Sequence, residues 1–528
     1  MAEPVFKPCR QHQLLLLPPD LSDLIPMNSM VRVVDGLVDG MDRSLLTSLY
    51  PGGGASAYDP AMMLKVVLLA YASGIYSSRK IAQATRENIG FMWICGMQPV
   101  EHSTVNRFRT ERIRPVFEEI FTEVVHVLAE GGHISLEAYF LDGTKVEANA
   151  NRYTFVWKKK VDNYREALRG KVHAHLEAID AMEDEEERLA PDEPAEIDSE
   201  RLREAAERIN ERIREKEKRG ERATELRKAK RALEKDWIPR MEGYERQRRI
   251  LDGRQSFSKT DEDATFMRMK DDHMGNGQLK AAYNVQIGTE NQFIIASTVH
   301  QRPHDTACAI AHLEHVKRTL GHLPSRIVAD AGYGSEETYS YLEQEGVRAL
   351  VKHPGSQLKR GREGRVPDRM DAASWPYDEA ADEYICPEGR RMRFLREDLR
   401  VSERGFESRA SCYACEDCTG CSRRSACTKS EWPSWRKVIQ VNRNLVEKRA
   451  RADELLCSEE GSRLRRQRGI DVETVFGDIK SNLGLTRFSL RGLEKVTHEW
   501  NLFAMGHNIR KLHLALLAEG KGGGMAPA

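Results

Sequence analysis

The chain has 528 residues, of which 31% are charged, and its basic and acidic side chains balance at a formal net charge of zero. That length suits two to four domains, and the balance excludes a uniformly basic protein, so any surface for a polyanion must come from local segregation of charge. No apolar run of about 18 residues is present, which argues against a membrane-spanning helix. The run Leu14–Leu17, followed at once by two prolines, is too short for the core of a signal peptide. The expected location is cytoplasmic, where the ten cysteines read as thiols or metal ligands rather than a disulfide framework.

Residues 1–55 are mixed in character and end in the loop Pro51-Gly52-Gly53-Gly54. Asp59-Pro60 opens a strongly apolar helix, with Asp as cap and Pro at the first helical position, and Gly74 ends it. A second helix opens at Ser77-Ser78-Arg79-Lys80, and a third, Val105–Arg114, is capped by His102-Ser103-Thr104 and carries Arg107, Arg109 and Arg112. Short helices ending in a basic one resemble a helix-turn-helix unit. Arg79, Lys80, Arg107, Arg109 and Arg112 are its candidate DNA contacts, and a plain helical bundle with solvated arginines is the alternative.

Ile134–Leu141 reads as a first strand that runs out at Asp142-Gly143. The next stretch, Lys158 to Gly243, is rich in Glu, Lys, Arg, Ala and Leu, a composition of long helices. Pro191 and Pro194 break it once, which predicts a helical hairpin with Ile209, Ile213, Leu226 and Leu233 along a narrow seam. Strands Ala282–Gly288 and Gln292–His300 follow, joined by a turn at Thr289-Glu290-Asn291, then a helix from Thr306 to Leu320 with Asp305 as cap. Arg326–Asp330 is a short apolar strand of the buried parallel type. Ser335-Glu336-Glu337 starts another helix and Ala349–Lys352 forms a further strand, completing an α/β core. Near the C-terminus an apolar helix, Val496–Leu517, is expected to pack on the sheet, ahead of a Gly-rich tail.

Six cysteines fall between Cys386 and Cys427. Two-residue spacings let two thiolates grip one tetrahedral ion, which suits a structural zinc site. The preferred ligands are Cys386, Cys418, Cys421 and Cys427, with Cys415 as substitute. An iron–sulfur cluster and idle thiols are the alternatives.

Three acids carry the chemistry. Asp142 and Asp330 each sit where an apolar strand meets a glycine, and strand ends in α/β sheets are where side chains meet ligands. Glu473 lies on a helical stretch with Lys480 seven residues later, two helical turns on, so that both project from one face. Asp142, Asp330 and Glu473 together are suited to two divalent ions, Mg2+ or Mn2+, in phosphoryl transfer, with Lys480 reaching phosphate. Lys280 and Tyr283 are further candidate phosphate contacts, a solvated lysine and a packed tyrosine being the alternative.

The strings Phe140-Leu141-Asp142-Gly143-Thr144, Val328-Ala329-Asp330-Ala331-Gly332-Tyr333-Gly334 and Glu473-Thr474-Val475-Phe476-Gly477-Asp478-Ile479-Lys480 resemble the DDE triad of bacterial insertion-sequence transposases. The resemblance is strongest to the IS eleven-eighty-two group, a relative of the IS-four type. In the wider pattern an arginine stands four residues before the glutamate. That position is Gly469 here, and Arg468 is the nearest candidate. The resemblance implies an RNase H-like catalytic core and an N-terminal helical DNA-binding domain, in a protein that cleaves and transfers DNA strands and acts as a homodimer on transposon ends and target DNA. It would be associated with the nucleoid when bound.

The expected division is an N-terminal segment 1–55, a helix-turn-helix-like domain 56–125, a first part of the core 133–156, a charged helical insertion 157–250, a second part of the core 251–355, a cysteine-rich zinc-binding insertion 356–440, a C-terminal core segment 441–517 and a disordered tail 518–528. A metal-dependent nuclease without strand transfer, and a non-catalytic DNA-binding protein derived from a transposase, are the rival readings.

Overall fold

The computed structural model describes residues 20–50, 57–182, 188–269, 277–353, 375–427 and 435–520. The expectations for Leu14–Leu17, the Pro51–Gly54 loop and the end of the tail lie outside the described residues.

A central sheet organises the molecule. Five of its strands are labelled here β1 (Ala138–Glu147), β2 (Leu279–Glu290), β3 (Phe293–His300), β4 (Arg326–Ala329) and β5 (Arg348–Val351). Their spatial order is β3-β2-β1-β4-β5, antiparallel from β3 to β1 and parallel from β1 to β5. A short strand, Thr265–Arg268, continues the outer edge of β2 beyond β3. The β2–β3 turn is tight because Asn291 and Gln292 both adopt positive φ, 51° and 67°, the backbone of a two-residue hairpin loop. Helices Asp305–Leu320 and Glu336–Gln344 make the connections to the parallel strands.

The first strand departs from expectation. Leu136 has a positive φ of 57°, which delays the strand until Ala138, and it then runs through Gly143 to Glu147. Asp142 is therefore inside a strand and not at its end.

The helix Pro60–Ala72 starts as its sequence dictates: the Asp59 carboxylate accepts from Ala61 N at 2.7 Å with Pro60 following. It is apolar on every side, so it must be enclosed. Met30–Asp39 and the long C-terminal helix Leu493–Ala518 pack against it, and the C-terminal helix lies at the same time on β3. Gly506 makes this approach possible, because a Cβ there would stand 3.0 Å from Tyr71 C and 3.2 Å from Ala72 N. The N-terminal helices and the sheet thus share one continuous hydrophobic core.

The charged insertion is not a hairpin. Lys158–Asp180, Ser199–Lys218, Thr224–Ala232 and Ile238–Leu251 form a compact helical bundle. The expected seam of Ile209, Ile213, Leu226 and Leu233 is buried, joined by Val172, Leu176, Trp237 and Met241 into a separate core. The cysteine-rich region forms its own five-stranded antiparallel sheet around Trp375, Met392, Tyr413 and Ile439.

Candidate functional site

Strand β4 stops at Ala329, opposite Leu141, while β1 continues. The next residues are Asp330 and Asp142, so these two acids follow a pair of neighbouring backbone positions, where adjacent strands lie about 4.8 Å apart. Asp142 is buried; its Oδ1 accepts from Gly143 N at 2.8 Å and its Oδ2 from Arg468 Nη1 at 3.0 Å. Asp330 accepts from Gly332 N at 2.8 Å, which curls the loop after β4 back on itself.

A third carboxylate stands beside them that sequence reasoning assigned only to a helix cap. Asp305 is the first residue of its helix, but the cap position is His304 and makes no side-chain capping bond. Asp305 Oδ1 instead accepts from Asn284 Nδ2 at 2.8 Å and Gln286 Nε2 at 3.0 Å, both on β2. The Tyr333 hydroxyl donates to Gln286 Oε1. Burial holds the Tyr333 phenol well above its ordinary pKa, and the charges of Asp305, Asp142 and Asp330 push it further in that direction.

Glu473 lies on a helix that packs over β1 and β2. This helix is irregular: π-helical turns Gly469–Glu473 and Asp478–Asn482 flank a single α turn, Thr474–Gly477. A π turn bonds i to i+5 and so absorbs one extra residue, and such turns recur at functional sites. That gives a physical account of the departure at Gly469: five residues separate Arg468 from Glu473, and the π turn between them brings both to one face. Glu473 is exposed and Lys480 half-buried. The rival acids are both committed elsewhere. Asp471 is buried and accepts from Gln292 N. Asp478 is bound to His507 Nδ1 at 2.8 Å, a contact that lowers its pKa to about 2.

Among the described residues, no group of three or more His, Cys, Asp or Glu side chains has the spacing of a metal site. Magnesium does not require one, since it binds through one or two carboxylates, water and substrate phosphate. The neighbouring oxygens of Asp142 and Asp330 are the hard donors that suit it.

A family model described as a Transposase DDE domain matches residues 385–513, and one described as a Transposase domain (DUF772) matches residues 19–111. Together the two matches support an insertion-sequence DDE transposase. The IS eleven-eighty-two group is consistent with both matches. No curated protein matches the sequence. The first match contains Glu473 and Lys480, and neither reaches Asp142 or Asp330.

In this transposase the N-terminal candidates divide. Arg79, Lys80 and Arg107 are exposed. Arg109 instead donates inward to the Tyr76 carbonyl at 2.6 Å and to the Tyr71 hydroxyl at 3.2 Å. Arg112 donates to the Leu49 carbonyl at 3.0 Å and lies over the Tyr50 ring. The expectation that these two face a phosphate backbone is corrected: they tie loops together. Lys280 is paired with Glu147 at 3.0 Å, and the Tyr283 hydroxyl is buried on Asp261 at 2.9 Å, so the packed-tyrosine alternative is the one found.

Cys386, Cys415, Cys418, Cys421 and Cys427 line one small cavity with Trp375 and Lys437. Lys437 N donates to Cys418 Sγ at 3.4 Å, the kind of backbone contact that orients sulfur ligands. Cys415 is the most enclosed of the five, and burial pushes its thiol up to about 12. Cys412 points elsewhere, to Asp398 Oδ2 at 3.2 Å. No helix among the described residues is long and apolar enough to cross a membrane.

Proposed function

We propose that this transposase binds the ends of an insertion sequence and catalyses metal-dependent DNA cleavage and strand transfer from an RNase H-like core. The single observation that carries the reading is the juxtaposition of Asp142 and Asp330 where β4 stops, at the middle of a β3-β2-β1-β4-β5 sheet. Three antiparallel strands followed by two parallel ones is the arrangement of an RNase H-like sheet. Asp142, Asp330 and Glu473 would hold two Mg2+ or Mn2+ ions, and such a pair supplies an activated nucleophile and a stabilised leaving oxygen.

The remaining roles belong to the chain. Arg468 fixes the Asp142 carboxylate from the helix side and, at one face with Glu473, links the helix to the strands. Lys480 contacts a DNA phosphate. Positioning of both strands contributes most of the catalysis, since in-line transfer needs little covalent help from protein. Arg79, Lys80 and Arg107 bind DNA by charge, as exposed residues on adjacent helices. The cysteine cavity holds one structural zinc through Cys386, Cys418, Cys421 and Cys427, with Cys415 as substitute. The active complex is a homodimer, and the protein is cytoplasmic and joins the nucleoid through DNA.

The test is single substitution of Asp142, Asp330 and Glu473 by Ala in the full chain. Each abolishes Mg2+-dependent cleavage of a transposon-end duplex while end binding persists. Retained cleavage in any one variant removes that residue from the site, and retained cleavage in all three overturns the reading.

A further inference from the structure

Helix Glu336–Gln344 begins six residues after Asp330, and its first side chain is not placed as an ordinary first-turn acid. Such an acid is stabilised by the positive end of the helix and stays in water. Glu336 is only 8% exposed, and both of its oxygens are taken by other parts of the chain. Oε2 accepts from Ser408 Oγ at 2.5 Å and Asn442 Nδ2 at 2.6 Å, and Oε1 accepts from Asn444 Nδ2 at 2.7 Å. All three donors are neutral. Burying a carboxylate on neutral partners is costly unless its lone pairs are met, and here they are met by segments far away in sequence.

Those segments are the ones that flank the acids. Ser408 lies on the strand Glu407–Cys415 of the cysteine-rich sheet. Asn442 caps the helix Arg443–Cys457, its Oδ1 accepting from Leu445 N at 2.8 Å, and its Nδ2 also reaches Ser408 Oγ at 2.9 Å. That helix leads into Glu459–Arg468, whose last residue holds Asp142. Glu336 therefore joins the segment after β4, the cysteine-rich sheet and the helical path to Arg468.

The way back from Glu336 to Asp330 is held at successive steps. Ser335 N donates to the Tyr333 carbonyl at 2.8 Å, Thr306 Oγ1 to the Gly332 carbonyl at 2.6 Å, and Gly332 N to Asp330 Oδ1 at 2.8 Å. Tyr333 is fully buried. Gly334 lies so close to the end of β5 that a Cβ there would stand 2.4 Å from Lys352 O. A segment held this way passes a displacement of Glu336 on to Asp330 instead of absorbing it.

We propose that Glu336 is a positioning residue for Asp330: by tying Ser408, Asn442 and Asn444 to the start of its helix, it fixes the loop after β4 against the path that carries Arg468 and Glu473. The inference rests on the reading of Asp330 as a catalytic carboxylate given above. The charge matters because a carboxylate accepts at both oxygens, whereas an amide turns a donor of its own toward one set of partners.

The experiment compares the full-length parent with Glu336→Gln and Asn444→Ala, by amide hydrogen exchange without added metal and by cleavage of a transposon-end duplex with Mg2+. Glu336→Gln speeds exchange of the amides of residues 331–335 about fivefold, as a local opening, and leaves exchange across β1 and β2 unchanged. It lowers kcat about tenfold at an unchanged KM, since a misplacement of about 1 Å can cost 10²-fold. Asn444→Ala keeps the charge and removes one donor; the loss in kcat is about threefold, the size of one hydrogen bond, and this variant carries the test if the first folds poorly. The double variant stays close to Glu336→Gln, because both substitutions act on one network. Parent-like loop exchange and kcat in every variant that folds overturn the proposal. Exchange that rises across the whole sheet, with KM and kcat changing together, also overturns it in favour of a purely structural role. Cleavage retained by Asp330→Ala overturns the reading of Asp330 itself, whatever the loop exchange in the other variants.

Discussion

Removing the Arg468 guanidinium leaves a buried negative charge, and the size of that effect follows from the geometry. Arg468 Nη1 and Asp142 Oδ2 are 3.0 Å apart, with side chains only 13% and 9% exposed, so solvent screening offsets little of the loss. Breaking such a pair from one side costs up to about 3–5 kcal/mol, because the remaining buried charge loses its guanidinium. Unfolding entropy of about 2.1 cal/mol/K per residue, over a cooperative unit of roughly 350–500 residues, converts this to a fall in Tm of about 3–7 °C for Arg468→Ala. Asp142→Asn in the same chain removes the negative charge that has lost its guanidinium, so the double variant is more stable than Arg468→Ala alone, and the cycle gives a coupling of about 1–3 kcal/mol. Scanning calorimetry with chelator present measures all four corners. Adding Mg2+ then raises the Tm of Arg468→Ala more than that of the parent, because a cation at Asp142 replaces the lost charge. An Arg468→Ala protein as stable as the parent, or a double variant no better than the single, refutes the account of this ion pair.

Further outcomes are expected elsewhere. His498 donates to the Arg109 carbonyl at 2.7 Å, and burial holds its pKa down at about 4; the neutral form therefore stabilises the fold above about pH 6.5, and that stability is lost as pH falls from 6.5 through 4. His498→Gln keeps a donor without the titration, so its Tm declines less over that range. Asp478, lowered to about 2 by His507, contributes stability above about pH 4 that disappears toward pH 2, so the parent's advantage over Asp478→Asn shrinks there when unfolding is followed by fluorescence. Joint neutralisation of Arg79, Lys80 and Arg107 flattens the salt dependence of DNA affinity by roughly one unit per lost phosphate contact, whereas Arg109→Ala and Arg112→Ala act mainly on Tm. Metal analysis of the purified protein finds one zinc per chain, and Cys418→Ser loses it.

What was legible in the sequence was what local rules decide. Asp59-Pro60 starts a helix through bonds within three residues, and Ser335 caps another by accepting from Thr338 N at 3.1 Å. Of the two aspartates, only Asp330 follows its apolar strand as the sequence suggests, since Asp142 lies inside Ala138–Glu147. Gly143 misled because a glycine after an apolar run reads as a turn; here it sits in mid-strand and marks a close approach by Gln286 and Asp305, contacts separated from it by more than a hundred residues. Asp305 was hidden by the same local rule that found the other caps. Arg109 and Arg112 read as a DNA-facing stripe because their partners, the carbonyls of Tyr76 and Leu49, lie far off in sequence. The insertion reads as a hairpin from its helix-forming composition and single break at Pro191 and Pro194, while its bundle depends on Trp237 and Met241 meeting Val172 and Leu176.

The C-terminal helix has a consequence for how the protein is made. Helices near the start of the chain emerge from the ribosome first, yet part of their apolar surface closes on Leu493–Ala518, among the last residues to be translated. Domains generally fold as they are synthesised, N-terminal ones first, but here the first-made helices must wait for the last. A chain cut short before residue 493 keeps the basic residues Arg79, Lys80 and Arg107 and lacks the surface that completes their scaffold. Chains cut short before residue 493 are therefore expected to aggregate or be degraded, rather than to persist as fragments that occupy transposon ends.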